Sequence, residues 1–171
     1  VPAYLAWLHL RDARGIRWAE GERWAERSPP ELEGVVLHGR IDRIDTASAD
    51  TELIDYKTSS LQRLKDRVRE PFEDTQLAFY ALLMEADLMD GDRFSACYLA
   101  LDTSEAPQEV AHPSVARSAQ ALLEGMVVDL RRLRAGAGFT ALGEGESCEH
   151  CEARGLCRRD QWSDNNIEAD A

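Results

Sequence analysis

No window of the sequence approaches the roughly 18 uninterrupted apolar residues that a membrane-spanning helix requires, which excludes a helical membrane protein. A basic head, an apolar run and a small-residue cleavage site are also missing, so a secreted precursor is not expected. Positive charge is short: 20 Lys and Arg face 32 Asp and Glu, a formal net charge of -12. Such a field repels polyanions at long range and excludes a nucleic-acid binder that relies on electrostatics alone. Cysteine is scarce, with four in 171 residues, too few for a disulfide scaffold. Three of the four crowd between positions 148 and 157, which points to a metal site in a reducing, cytoplasmic compartment. What is present, 44% apolar and 30% charged side chains, is the composition of one ordinary globular domain or of a piece of a longer chain.

Apolar spacing divides the chain into elements. Tyr4 to Leu10, followed by Arg11, Asp12 and Arg14, has the pattern of a helix that stops at Gly15. It opens abruptly and without Met, so an upstream part of the parent protein that carries functional residues is expected. Residues 16–33 are charged, include Glu20, Glu22 and Glu26, and break at Ser28-Pro29-Pro30; they read as an irregular or edge-strand connection. From Gly34 the period changes to two, with Val35, Leu37 and Ile41 on one face and His38, Arg40 and Asp42 on the other. The small polar turn Thr46-Ala47-Ser48-Ala49-Asp50 then leads into Leu53-Ile54-Asp55-Tyr56-Lys57-Thr58, so the two runs form a hairpin, 34–45 with 51–59.

Arg63, Lys65, Arg67 and Arg69 against the single acid Asp66 make the next stretch the one locally basic segment, and Arg63, Lys65 and Arg67 are its candidate DNA contacts. Pro71 suits the first turn of a helix to about Leu88, on which Gln76 and Tyr80 share a face. Residues 93–102 read as a buried strand and Ser114 to Arg134 as a further helix, with no internal repeat anywhere. The fold class is therefore α/β, a central mixed sheet flanked by helices. One domain is expected: an N-terminal helix over 1–14, a core over 34–135 and a cysteine-rich tail over 143–162.

Alternation decides which acids cooperate. Asp42 and Asp45 are three apart and face opposite ways, whereas Asp55 and Lys57 are two apart and face the same way. Hairpin symmetry sets Asp42 opposite Asp55. Like charges directly opposed on one sheet face destabilise it, so the pair needs a compensating cation. Lys57 supplies one charge, and a hard ion such as Mg2+ (or Mn2+), which accepts one or two carboxylates and a substrate phosphate, supplies more. That set suits phosphodiester hydrolysis by an activated water. It equally suits an ordinary Asp55–Lys57 surface pair beside a solvated Asp42.

Gly39-Arg40-Ile41-Asp42-Arg43-Ile44-Asp45, then Ile54-Asp55-Tyr56-Lys57-Thr58, then Gln76 and Tyr80 as Q-x-x-x-Y, together resemble the nuclease domain of the RecB and AddB type, within the PD-(D/E)XK superfamily. The resemblance implies the nuclease core fold, with Asp42 and Asp55 as metal-binding acids, the Tyr56 carbonyl as a further ligand and Lys57 as the catalytic lysine. It further implies that Gln76 and Tyr80 support the site and contact the DNA strand. The family's helical G-x-x-x-H histidine has no counterpart here. Gly34-Val35-Val36-Leu37-His38 matches by letter, but on a strand His38 lies about 13 Å from Asp42. His9 lacks the preceding glycine, and the true histidine is expected upstream.

Cys148, Cys151 and Cys157 form C-x2-C-x5-C, which gathers three thiolates round one centre. In AddB-type nucleases, the resemblance implies, such a tail and one distant upstream cysteine hold a [4Fe-4S] cluster. Zinc on the three thiolates and His150 is the alternative; softness together with the family resemblance favours iron-sulfur in the intact parent protein. Cys97, inside an apolar strand, reads as a buried small residue. The expected function is a metal-dependent DNA exonuclease module of a double-strand-break repair or recombination protein. A helicase-nuclease partner subunit, or a helicase-like region of the same chain, would feed it DNA. The alternative is a non-catalytic DNA-binding or scaffold domain that keeps the fold and the cluster; a nuclease restricted to RNA or to single strands is a third reading.

Overall fold

In the computed structural model, which describes residues 2–48, 50–70, 75–84, 94–101 and 106–138, the period-two runs form the expected hairpin. Strand β2 (Leu37–Ala47) pairs antiparallel with β3 (Asp50–Lys57), from Ala47 opposite Asp50 to Arg43 opposite Ile54. The ladder ends there, one step before Asp42 and Asp55, which were expected to face each other. Ser48 takes a left-handed φ of 56° in the turn. Both strands begin or end within a few residues of the expected limits.

The connection over 16–33 takes the edge-strand form, one of the two expected for it. Most of it is β1 (Arg17–Arg27), an 11-residue strand at the edge of the sheet, antiparallel to β2. Its ladder passes from Gly21 opposite Arg43 to Arg23 opposite Ile41 without a Glu22–Asp42 pair, and Glu22 has φ 52°. A non-glycine residue there costs roughly 1–2 kcal/mol. The strict alternation expected for β2 slips at the same level, because Ile41 and Ile44, three apart, both reach the larger core. The sequence also holds a short repeat, contrary to expectation: Arg17-Trp18-Ala19-Glu20 recurs as Arg23-Trp24-Ala25-Glu26. Ala19 and Ala25 pack toward the core, whereas Trp18 and Trp24 are both exposed.

Helix α2 (Leu61–Arg69) occupies the basic segment, where no element was expected; the Ser60 hydroxyl accepts the Arg63 N–H at 3.4 Å and Leu64 and Val68 are buried. Helix α3 (Thr75–Leu83) is the middle of the expected 71–88 helix, residues 71–74 and 85–88 of which lie outside the described residues. Strand β4 (Phe94–Ala100) then returns parallel to β3, with Tyr98 opposite Asp55. A parallel neighbour requires a crossover, and the segment containing α2 and α3 provides it. The four-residue strand β5 (Gln108–Ala111), antiparallel to β4, was not expected, and α4 (Val115–Arg134) starts one residue inside the expected limits.

The sheet is mixed, in the order β1-β2-β3-β4-β5. One face carries the larger core, in which Leu53, Ala96 and Tyr98 meet Leu64 and Val68 of α2, Leu77, Ala81 and Leu82 of α3, and Val115, Ala119 and Leu123 of α4. The other face is covered by α1 (Pro2–Ala13), whose Trp7 packs with Ile54, Cys97 and Leu99. Burial of these apolar side chains contributes roughly 1.5–3 kcal/mol apiece before chain entropy is set against it. The chain is an α/β protein with flanking helices. It divides into two compact units, residues 1–130 and 131–171; of the second, residues 131–138 are described and hold the last turn of α4 and Gly136 at φ 92°. The cysteine-rich tail over 143–162 lies outside the described residues.

Candidate active site

The side chains of Asp55 and Lys57 leave β3 on the α3 side of the sheet, while Tyr56 between them leaves on the α1 side. Asp55 is 1% exposed. Its Oδ1 accepts a hydrogen bond from Gln76 Nε2 at 2.7 Å, and its Oδ2 faces Lys57 Nζ at 2.6 Å. Gln76 Nε2 also lies 3.3 Å from Tyr80 Oη. The pair sits one helical turn apart because α3 buries Leu77, Ala78, Ala81 and Leu82 on its inner side, leaving residues 76 and 80 turned to β3. Asp42, half-buried on β2, closes the group: its Oδ2 accepts the backbone N–H of Tyr56 at 3.1 Å.

Burial pushes the Asp55 carboxyl above the ordinary carboxylate range; the ion pair with Lys57 opposes this, the Asp42 charge reinforces it, and Arg67 opposes it at longer range. Burial likewise raises the Tyr80 hydroxyl, with the hydrogen bond from Gln76 acting against it and the Asp55 and Asp42 charges acting with it. The apolar walls thus make negative charge costly where two acids converge.

Arg67 joins this group from α2. Its guanidinium lies 5.3 Å from the centroid of the Tyr98 ring, and Lys57 Nζ lies 5.4 Å from the same centroid. A fully buried ring therefore carries two cations beside Asp55. Arg63 is four residues back on the same face of α2, whereas Lys65 is about 200° round the helix from Arg63. The three basic residues expected to act together are thus split, with Arg63 and Arg67 toward one side and Lys65 elsewhere. Among the other residues considered, His9 is exposed on α1, and His38 stacks on Trp24 at 5.4 Å between centroids on the β1–β2 surface. Glu20 is exposed in an ion pair with Arg23, and Glu26 is exposed.

A hard divalent ion fits this donor set. Asp55 Oδ2 is buried and held by the Lys57 ammonium at 2.6 Å, whose hydrogen bond and charge oppose the rise in the Asp55 pKa without cancelling it where Asp42 converges. Two acids converging at a buried point are not fully offset by one lysine, and a divalent cation supplies the remaining charge. Among the described residues no three His, Cys, Asp or Glu side chains gather as a closed cage, so any ion here would take further ligands from water, backbone or substrate, as Mg2+ does.

The sequence profile of the PD-(D/E)XK nuclease superfamily, compared with this chain, matches residues 2–158. The chain belongs to the PD-(D/E)XK nuclease superfamily. No curated protein matches it. Superfamily membership implies a nuclease that hydrolyses phosphodiester bonds, and nucleases of this superfamily generally use divalent metals such as Mg2+. The match spans both the sheet and the tail, yet Cys148, Cys151 and Cys157 lie outside the described residues. Cys97 is 1% exposed on the α1 side of β4, and burial drives its thiol well above the ordinary range, which leaves it inert. No helix among the described residues is long and apolar enough to cross a membrane.

On the α1 side of the sheet lies a cluster that sequence reasoning missed. Asp45, 0% exposed, receives Arg43 in a two-pronged pair, Nε to Oδ1 at 2.7 Å and Nη2 to Oδ2 at 2.9 Å, together with Arg11 Nε at 3.0 Å. Arg11 also pairs with Glu52 and, at 2.7 Å, with Glu109. Both guanidiniums lie 5.0 Å from the Trp7 ring centroid. Burial works against charge on both arginines, yet their acid partners hold Arg11 and Arg43 above the ordinary arginine range. The one local clue was an apolar helix face carrying Trp7 and Arg11 a turn apart.

Proposed function

We propose that this chain is the metal-dependent exonuclease module of a double-strand-break repair or recombination protein. Asp42, Asp55 and the Tyr56 carbonyl would hold Mg2+ or Mn2+. An ion held there would supply positive charge to offset the two carboxylates and the substrate phosphate and to lower the pKa of the attacking water. Lys57 orients that water or meets charge that develops on the phosphate oxygens. Gln76 fixes the orientation of Asp55 from α3, and Tyr80, which shares its amide, contacts the DNA strand. Arg67 lies over Tyr98 beside these groups and, with Arg63, meets backbone phosphates; Lys65 meets DNA outside this centre. Because the chain carries a net charge of -12, weak capture of free DNA suits a nuclease whose strand is delivered by a helicase-like partner or region.

The observation that carries this reading is the buried Asp55 carboxylate, whose Oδ2 is held by Lys57 at 2.6 Å and whose pKa is still raised where the second acid, Asp42, converges. The C-x2-C-x5-C spacing supports a [4Fe-4S] cluster on Cys148, Cys151 and Cys157, completed by a cysteine of the parent protein. End-labelled single- and double-stranded DNA incubated with the protein and Mn2+ or Mg2+ tests the activity. Stepwise shortening by the wild type and none by Asp55→Ala supports the reading. Equal cleavage by both proteins, or DNA binding without cleavage under every metal, overturns it in favour of a scaffold.

A further inference from the structure

Tyr56 ties the two faces of the sheet together. Its backbone N–H donates to Asp42 Oδ2 at 3.1 Å on the side of the proposed metal site, while its side chain crosses to the α1 side. There its hydroxyl lies 2.9 Å from the Tyr4 hydroxyl, and Arg43 Nη1 donates to both oxygens, at 2.9 Å to Tyr4 and 3.4 Å to Tyr56. The Tyr4 and Tyr56 rings meet edge to face with centroids 6.4 Å apart, and Tyr4 stacks on Trp7 at 5.4 Å.

Arg43 is the neighbour of Asp42 on β2, and its other two donors are locked on Asp45. The β2 and β3 backbones at the level of the two acids are therefore clamped from behind, β2 through Arg43 and β3 through Tyr56. Helix α1 supplies the closing group, Tyr4. The need for such a clamp is visible on the β1 side: the ladder lacks a pair at Asp42 and the alternation of β2 slips there, so ordinary sheet pairing leaves this residue less constrained than its neighbours.

We infer that Tyr4, Arg43 and Tyr56 are positioning residues that set the Asp42 carboxylate against Asp55 by fixing the Tyr56 backbone, so that α1 is part of the apparatus of the metal site. This rests on the proposed role of Asp42 and Asp55 in holding a divalent ion. The clamp works through shape: a Tyr56 peptide that rocks releases Asp42, and the two acids then no longer present oxygens at one point. Partners one layer behind a metal ligand commonly change metal affinity on the order of 10- to 100-fold when removed.

The test uses Tyr4→Phe, Tyr56→Phe and the double variant, which keep the rings and delete only the hydroxyls. Mn2+ binding is followed by the electron paramagnetic resonance signal of free Mn2+, backbone amide hydrogen exchange is followed in the metal-free protein, and melting temperature is recorded for each. Each single variant is expected to weaken Mn2+ binding on the order of tenfold. Exchange of the Tyr56 amide should quicken while those of Leu53 and Ile54 hold, and the double variant should be no weaker than the worse single one. Unchanged affinity and unchanged Tyr56 exchange would overturn the inference. So would losses spread evenly over all amides in step with the melting temperature, which would make the cluster general support. If the wild type binds no Mn2+, or if Asp42→Asn leaves binding intact, the metal reading fails. Tyr56 exchange in the metal-free protein still decides whether the clamp exists.

Discussion

Replacing Asp45 with alanine separates two acids that stand only three residues apart. Asp45 is fully buried and accepts three hydrogen bonds from two guanidiniums, whose own side chains are 4% and 5% exposed. Arg11 keeps Glu52 and Glu109 after the substitution, but Arg43 is left with tyrosine hydroxyls and the Trp7 ring and with no acid. A buried ion pair broken from one side costs about 3–5 kcal/mol, chiefly because a charge is stranded. In a chain of this size 1 kcal/mol moves the melting temperature by about 2–4 °C, so Asp45→Ala should melt roughly 6–20 °C lower, a large part of the stability of a typical domain. Asp42→Ala loses one hydrogen bond at a half-exposed position, about 0.5–1.5 kcal/mol, and should instead lose cleavage. Urea melts followed by circular dichroism give both values. The double change Arg43→Met with Asp45→Leu should regain much of the loss, since it strands no charge. A shift below about 1 kcal/mol for Asp45→Ala, or a double variant worse than the single one, would refute the assignment of the cost to stranded charge.

Asp55→Asn should raise the melting temperature of the metal-free protein at neutral pH. The folded state raises the Asp55 carboxyl above its usual 3.8, so its contribution to stability is present below that value and is lost as pH rises through the folded pKa, whereas asparagine never acquires the charge. Each unit of that rise is worth about 1.4 kcal/mol. The difference between the two proteins should close as pH falls below about 4, and calorimetry across pH that finds the variant less stable at pH 7 contradicts the sign. Gln76→Ala removes the 2.7 Å hydrogen bond to Asp55 Oδ1 and should slow cleavage by roughly 10- to 100-fold with a smaller change in metal affinity; equal losses in both would show that the amide holds the metal ligand itself. Arg67→Ala should weaken DNA binding and lower the salt-dependence slope by about one, measured by fluorescence anisotropy, while Lys65→Ala affects binding without altering the cleavage rate of bound DNA.

Which parts of this were legible in the sequence follows the range of the interaction. The hairpin and the common facing of Asp55 and Lys57 are consequences of backbone alternation over a few residues, and a polar turn marks the register. Helix α4 shows itself through apolar spacing over 20 residues. Helix α2 was hidden because Leu61, Leu64 and Val68 are embedded among charges, although the Ser60 cap was present to mark its start. Strand β1 reads in the sequence as either irregular chain or an edge strand because glutamates and Gly21 dilute it, and its pairing with β2 decides between the two. Gln76 and Tyr80 were found through resemblance. Arg67 over Tyr98 was beyond reach as a geometry, since it depends on a parallel neighbour and a crossover. The Asp45 cluster joins residues up to 98 apart, and no local pattern announces such a pairing.

The RWAE repeat of β1 leaves the edge of the sheet nearly indifferent to a slide of six residues. After such a shift Trp would replace Trp on the outside and Ala would replace Ala against the core, so hydrophobic sorting alone hardly distinguishes the two alignments. What breaks the tie is not repeated. Gly21, over which the Trp18 indole lies, has no twin, and neither does the left-handed Glu22; Arg27 Nη1 reaches the Leu82 carbonyl at 2.7 Å only when the strand is seated as it is. Three unlike residues thus act as the latch of an otherwise self-similar ribbon, and changes to them should yield slipped conformers rather than unfolded chains.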